Sequence, residues 1–171
     1  MSKPFAVNVN RHDPYKNYRF LVYFDQSTSP VAGVSKVSGM KRMSDVIEYR
    51  EGGNGIVLKG IGRTKYDPIT LERGVTHDDE FEQWANAAQV LDKGEPHSSL
   101  AALRKEIRIE LLNEGGTPVQ RYVVHRCWVS EFQALPDLDA GGNAIAIEHL
   151  KLENEGWERD LSVVEPDEKK A

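Results

Sequence analysis

Apolar and polar residues alternate with a period of two through most of the chain, the mark of half-buried β-strands. In residues 17–24, Tyr18, Phe20, Val22 and Phe24 share one face and Asn17, Arg19, Leu21 and Tyr23 the other. Both faces carry apolar bulk, which predicts a strand covered on both sides. A turn-rich stretch over 26–30 leads to a second strand over 31–39. The run 43–51 sets Met43, Asp45, Ile47 and Tyr49 against Ser44, Val46, Glu48 and Arg50. It ends at Gly52-Gly53-Asn54-Gly55, a hairpin signal because such turns need positive φ. Residues 56–61 are the returning strand, 62–68 a connection and 69–73 a further short strand.

The period then changes. Phe81, Trp84, Ala85, Ala88 and Leu91 fall on one stripe of a helix. Thr76 is the predicted N-cap, with His77, Asp78, Asp79 and Glu80 opening the first turn at the positive end of the dipole. Gly94 and Pro96 stop the helix, and a loop or short second helix occupies 92–103. Period two returns at 105–112, where Ile107, Ile109 and Leu111 oppose Glu106, Arg108 and Glu110. Long strands follow at 120–132 and 144–153, separated by a loop at 136–143. The predicted fold is mainly β: a two-sheet sandwich or barrel with one flanking amphipathic helix and a long protruding hairpin. The predicted organisation is an N-terminal arm over 1–16, a β domain over 17–157 and a charged tail over 158–171.

Several strand faces are mixed. Glu148 lies with Leu150 and Leu152, and Ile145 and Ile147 lie with His149, Lys151 and Glu153. Such faces suggest a surface partly covered by other subunits, or an ordinary sandwich with long side chains snorkelling to water. A hairpin that overruns its domain suits strand addition to a neighbour.

Composition narrows the classes. The 171 residues suffice for one domain with a sizeable core, and the formal net charge of -5 argues against a dedicated nucleic-acid binder. The single cysteine, Cys127, allows no disulfide within a chain. No run suits a signal peptide or membrane anchor, which predicts synthesis and assembly in the cytoplasm. The glycine run at 52–60 lacks the Gly-Lys-Ser/Thr ending of a phosphate loop. His125 and Cys127 alone do not make a metal site. No nucleophile elbow or zinc-protease motif occurs. The reading is a non-enzyme with no catalytic, cofactor-binding or metal-binding residues and no cofactor.

The stretches Asp13-Pro14-Tyr15-Lys16-Asn17-Tyr18-Arg19-Phe20 and Val31-Ala32-Gly33-Val34-Ser35-Lys36-Val37-Ser38-Gly39 resemble the start of contractile phage tail tube proteins. The likeness continues through Glu48-Tyr49-Arg50-Glu51-Gly52-Gly53, then Gly62-Arg63-Thr64-Lys65-Tyr66-Asp67-Pro68-Ile69-Thr70-Leu71-Glu72-Arg73-Gly74, and reaches the helix. The segment after the paired glycines departs from the Asp-Pro-containing stretch of that family. This keeps a tube-initiator paralogue at the baseplate open beside the main tube subunit. An alternative from another class is a monomeric β-barrel that binds a small ligand.

The resemblance implies a homo-oligomer of hexameric rings stacked into a hollow tube, in a virion tail or injection particle. It implies a sheath protein outside, a tape-measure protein, DNA or effector in the lumen, and baseplate and terminator proteins at the ends. Lumen-lining strands would join between subunits into one continuous barrel. The hairpin would reach the adjacent ring, with Tyr49, Arg50, Glu51, Gly52, Gly53, Asn54 and Lys59 as its contacts. The family motif is carried by Arg63, Thr64, Lys65, Tyr66, Asp67, Pro68, Glu72, Arg73 and Gly74, and the helix core by Phe81, Trp84, Ala85 and Ala88.

Overall fold

The computed structural model describes residues 14–53, 55–92, 99–164 and 166, with the backbone alone for 90–92 and 102. Most of the predicted arm, Asn54, the helix stop at Gly94 and Pro96, the side chain of Leu91 and, within the charged tail, residues 165 and 167–171 lie outside the described residues.

The elements in chain order are β1 (Phe20–Phe24), β2 (Val34–Val37), β3 (Arg42–Tyr49), β4 (Leu58–Tyr66) and β5 (Ile69–Gly74), then helices α1 (Glu80–Asp92) and α2 (Leu100–Leu103). Strands β6 (Lys105–Leu112), β7 (Pro118–Gln133), β8 (Ile147–Glu153) and β9 (Trp157–Arg159) complete the fold. The main sheet runs β1-β6-β7-β8-β5-β2, with β9 beside β7, and β3 and β4 form a separate two-stranded sheet.

The 16-residue β7 belongs to both layers of the sandwich. Its first part pairs with β6 and β9, and its last part, from Trp128 to Gln133, pairs with β8. The change occurs beside Arg126, whose φ of 53° bends the strand. Each layer then presents one apolar face to the other. Val22, Phe24, Ile107 and Val124 come from the first layer, and Ile69, Leu71, Val129, Leu150 and Leu152 from the second. The sandwich half of the expectation holds; among the described residues the sheets do not close into a barrel.

Helix α1 closes one side of this core. Phe81, Trp84 and Ala85 are buried, and Ala88 is half-buried. Trp84 meets Phe24 edge-on at 4.8 Å between ring centroids, and its indole N–H donates to the Leu103 carbonyl at 2.8 Å. That bond fixes α2, whose first turn is capped by the Ser99 hydroxyl.

Several expectations are corrected. Tyr18 lies in a turn and is exposed, so β1 begins only at Phe20. Thr76 does not cap α1. The helix starts at Glu80, whose N–H donates to the Asp78 carboxylate at 2.9 Å, while Thr76 Oγ1 accepts the Asp78 N–H. The stretch 62–66, read as a connection, continues β4, which is therefore longer than predicted. The strand expected over 144–153 begins only at Ile147, after an extended loop, and the short β9 follows it.

A candidate assembly surface

Among the described elements the β3–β4 hairpin is the least covered. Every residue of β3 is exposed, and so is most of β4. Its cross-strand pairs run from Arg42↔Tyr66 at the root to Tyr49↔Leu58 near the tip. Alternation puts Met43, Ile47, Tyr49 and Leu58 on one face, with Gly60 opposite Ile47. The other face carries the Val46↔Ile61 pair, with Ile61 87% exposed. On this second face Glu48 meets Lys59 at 3.8 Å, and the Ser44 and Thr64 hydroxyls bond at 3.1 Å.

The geometry of the hairpin is set at both ends. At the tip Gly53 has φ 88°, the left-handed conformation that the paired glycines predicted. Midway, Gly62 and Arg63 lie where the partner strand offers only Asp45, a bulge that steps the register. A Cβ on Gly62 would lie 2.9 Å from the Asp45 carbonyl oxygen, so this position requires glycine. At the root Tyr66 packs edge-on against Trp157 at 6.2 Å, and the Arg42 guanidinium lies 5.8 Å from the same ring centroid. Asn154 donates to the Asp67 carbonyl at 3.0 Å, and the Asp67 N–H donates to the Lys41 carbonyl.

The remaining motif residues sit on β5. Glu72 faces outward, 2.8 Å from Lys36 Nζ and 3.8 Å from His149 Nδ1. Lys151 and Glu131 pair at 3.9 Å further along this outer face, so its charges neutralise one another. Arg73 points inward and is 1% exposed. Its Nε donates to the Glu148 carboxylate, its NH2 donates to the Asp78 carbonyl at 2.7 Å, and its guanidinium lies 4.1 Å from the Phe81 ring centroid. The mixed face of Glu148, Leu150 and Leu152 is thus completed inside the chain, not by a neighbour. Sequence reading missed this pair, although Arg73 follows Ile69 and Leu71 at the same period of two. The Asp78 carboxyl is held below the usual range, mainly by the Glu80 N–H and further by Arg73, against the opposing effect of burial.

Two features bear on joining copies. Strand β2 ends the sheet order, paired only with β5, and residues 128–133 of β7 pair only with β8. The layer β2-β5-β8-β7 therefore has two open edges among the described residues. In the β7–β8 loop, Leu138 and Ile145 are exposed to 75% and 81%.

Chemistry of other kinds finds little footing. Cys127 is fully buried, and burial, with lesser contributions from Glu106 and Asp25, pushes its thiol up to about 12. Among the described residues no group of His, Cys, Asp and Glu is arranged to hold a metal ion, and no helix is long and apolar enough to cross a membrane. The groove between α1 and β7, about 280 Å³ and lined by Ala85, Ala88, Val129, Ser130, Glu131 and Phe132, is open and of mixed polarity.

Residues 16–158 match the family described as T4-like virus tail tube protein gp19. Among solved structures, a chain of the six-fold symmetrised baseplate of the anti-feeding prophage is similar. Its identity is 27% and its TM-score 0.70, over 87% of this chain and 97% of that one. A chain of the sheath–tube complex of the extracellular contractile injection system PVC, in its extended state, matches at 26% identity and TM-score 0.70, over 87% of this chain and 93% of that one. A chain of the anti-feeding prophage tube-terminating cap matches at 25% identity and TM-score 0.72, over 90% and 95%. No curated relative matches by sequence.

Proposed function

The chain belongs to the T4-like virus tail tube protein family, and on that premise we propose that it is the structural subunit from which an inner tube of hexameric rings is built. The tube belongs to a contractile tail or a phage-like injection particle, and six copies of the chain make each ring. The six-fold symmetrised baseplate that holds one similar chain and the sheath–tube complex that holds another support this reading. A sheath surrounds the tube, baseplate and terminator proteins close its ends, and a tape-measure protein, DNA or an effector fills the lumen. Subunits are made and assembled in the cytoplasm. The chain performs no catalysis, and its work is mechanical.

The observation that carries the reading is the hairpin. Two strands with apolar side chains on both faces and no covering layer are at best marginally stable in water. Burying Ile47, Tyr49, Leu58 and Ile61 against an adjacent ring supplies the missing layer, with Arg50, Glu51, Gly52, Gly53, Asn54 and Lys59 completing the contact. Within a ring, the open edges at β2 and at the end of β7 meet on neighbouring copies, which removes exposed strand edges and continues one sheet around the lumen. The ligand-binding alternative needs a closed barrel in one chain, and among the described residues the sheets do not close.

Deleting residues 49–58 tests the stacking role. The expected result is a folded chain that forms single rings but no tubes under the electron microscope. Tubes of normal length from this deletion would refute it.

A further inference from the structure

The hairpin and the β7–β8 loop leave the same sheet at opposite ends. The hairpin enters β5 at Ile69, which pairs with Leu152 near the end of β8. The loop joins Gln133 to Ile147, beside Gly74 at the far end of β5. The Val75 N–H donates to the Ala146 carbonyl there, and a Cβ on Gly74 would touch Ile145. The six residues of β5 place roughly 20 Å between the two.

Their surfaces are complementary. Residues 42–66 carry the five cations Arg42, Arg50, Lys59, Arg63 and Lys65 against the three carboxylates Asp45, Glu48 and Glu51. The hairpin is thus net positive on a chain of net charge -5. The loop carries Asp137 and Asp139 beside the exposed Leu138 and Ile145, around a hollow of about 210 Å³. Neither aspartate makes an ion pair among the described residues, and neither does Arg50; Lys59 has only its long contact with Glu48.

We propose that the β7–β8 loop is the receptor for the hairpin of the next copy along the tube. The second face of the hairpin, with the exposed Val46 and Ile61, covers Leu138 and Ile145, while Lys59 on that face and Arg50 beside the tip meet Asp137 and Asp139. A protrusion at one end and its receptor at the other make a head-to-tail contact, which repeats without closing and so propagates along an axis. This rests on the stacked-ring reading and adds the surface on which stacking occurs.

The test is charge reversal in the full chain, followed by electron microscopy and thermal denaturation. D137K/D139K should keep the melting temperature and the rings while tubes fall to about a tenth or less, since like charges then face one another. Adding R50E/K59E to that variant should restore tube length. In parallel, copies carrying I61C mixed with copies carrying L138C should cross-link under oxidation, whereas either variant alone should not. Wild-type tube yield from D137K/D139K, a folded four-site variant without rescue, or no cross-link in assembled tubes overturns the proposal. A wild-type chain that forms neither rings nor tubes removes the stacked-ring reading as well, so the two failures are told apart.

Discussion

Arg73 on β5 donates from Nε to the Glu148 carboxylate on the neighbouring β8, with the two side chains 1% and 9% exposed. This pair sits beneath α1, and Asp78 joins it at 3.3 Å from Arg73 NH1. It ties the end of the hairpin-bearing strand to the loop that leads into the helix. Two buried charges cost several kcal/mol to desolvate, so removing one strands the other. Arg73→Met should therefore destabilise the chain by about 3–5 kcal/mol. Combining it with Glu148→Leu should recover most of that loss, because an apolar pair of similar volume needs no compensation. Urea denaturation of the single and double variants measures both effects.

Asp78 makes the same region sensitive to acid. Its carboxyl is held below the ordinary aspartate value of 3.8 by the Glu80 N–H and by Arg73. Its contribution to stability is therefore full above the unfolded value and disappears as pH falls through the lower, folded value. Asp78→Asn should lower stability at pH 7 and flatten its decline at acid pH. Denaturation midpoints across the range from neutral to strongly acid follow this directly.

Cys127 behaves in the opposite sense. Its thiol is pushed up from 9.0 to about 12 by burial, so the folded chain holds the proton more tightly than the unfolded one. Stability is unaffected at neutral pH and falls as pH rises from 9.0 toward 12. At pH 8 a thiol reagent should leave the folded protein unlabelled and modify one cysteine per chain after denaturation.

Gly62 separates the hairpin from the body. The side chain of Gly62→Ala would collide with the Asp45 carbonyl at 2.9 Å and distort the bulge. The hairpin lies outside the buried core, so the melting temperature should stay within about 3 °C of wild type, consistent with a change under about 0.5 kcal/mol. Tube yield should fall with the misdirected tip. Calorimetry and tube counts on the same sample separate the two effects.

These variants also mark where sequence was informative. Phe81, Trp84 and Ala85 were legible as a core stripe because one face of a helix meets the core. Lys105–Leu112 was legible as a strand, although the half-wet face predicted for it is more covered than expected: Glu110 is buried against Arg121 at 2.7 Å. The glycine tip revealed the hairpin, since only its turn geometry demanded those residues.

The length of β4 was hidden for the reason the hairpin matters. With both faces uncovered, Gly60 to Tyr66 shows no inward–outward alternation to read. The bend of β7 at Arg126 left no local mark, because a positive φ there is imposed by the sheet crossing. Glu148 was visible as an acid on an apolar face, but its partner lies 75 residues away, and only pairing β5 with β8 brings them together.

Electron microscopy of the tag-free full-length chain, concentrated at neutral pH, tests the account most directly. Six-fold rings that stack into hollow tubes of uniform width are the predicted result. A field of small single particles at every concentration, with the chain also missing from purified tail or injection particles, would contradict it.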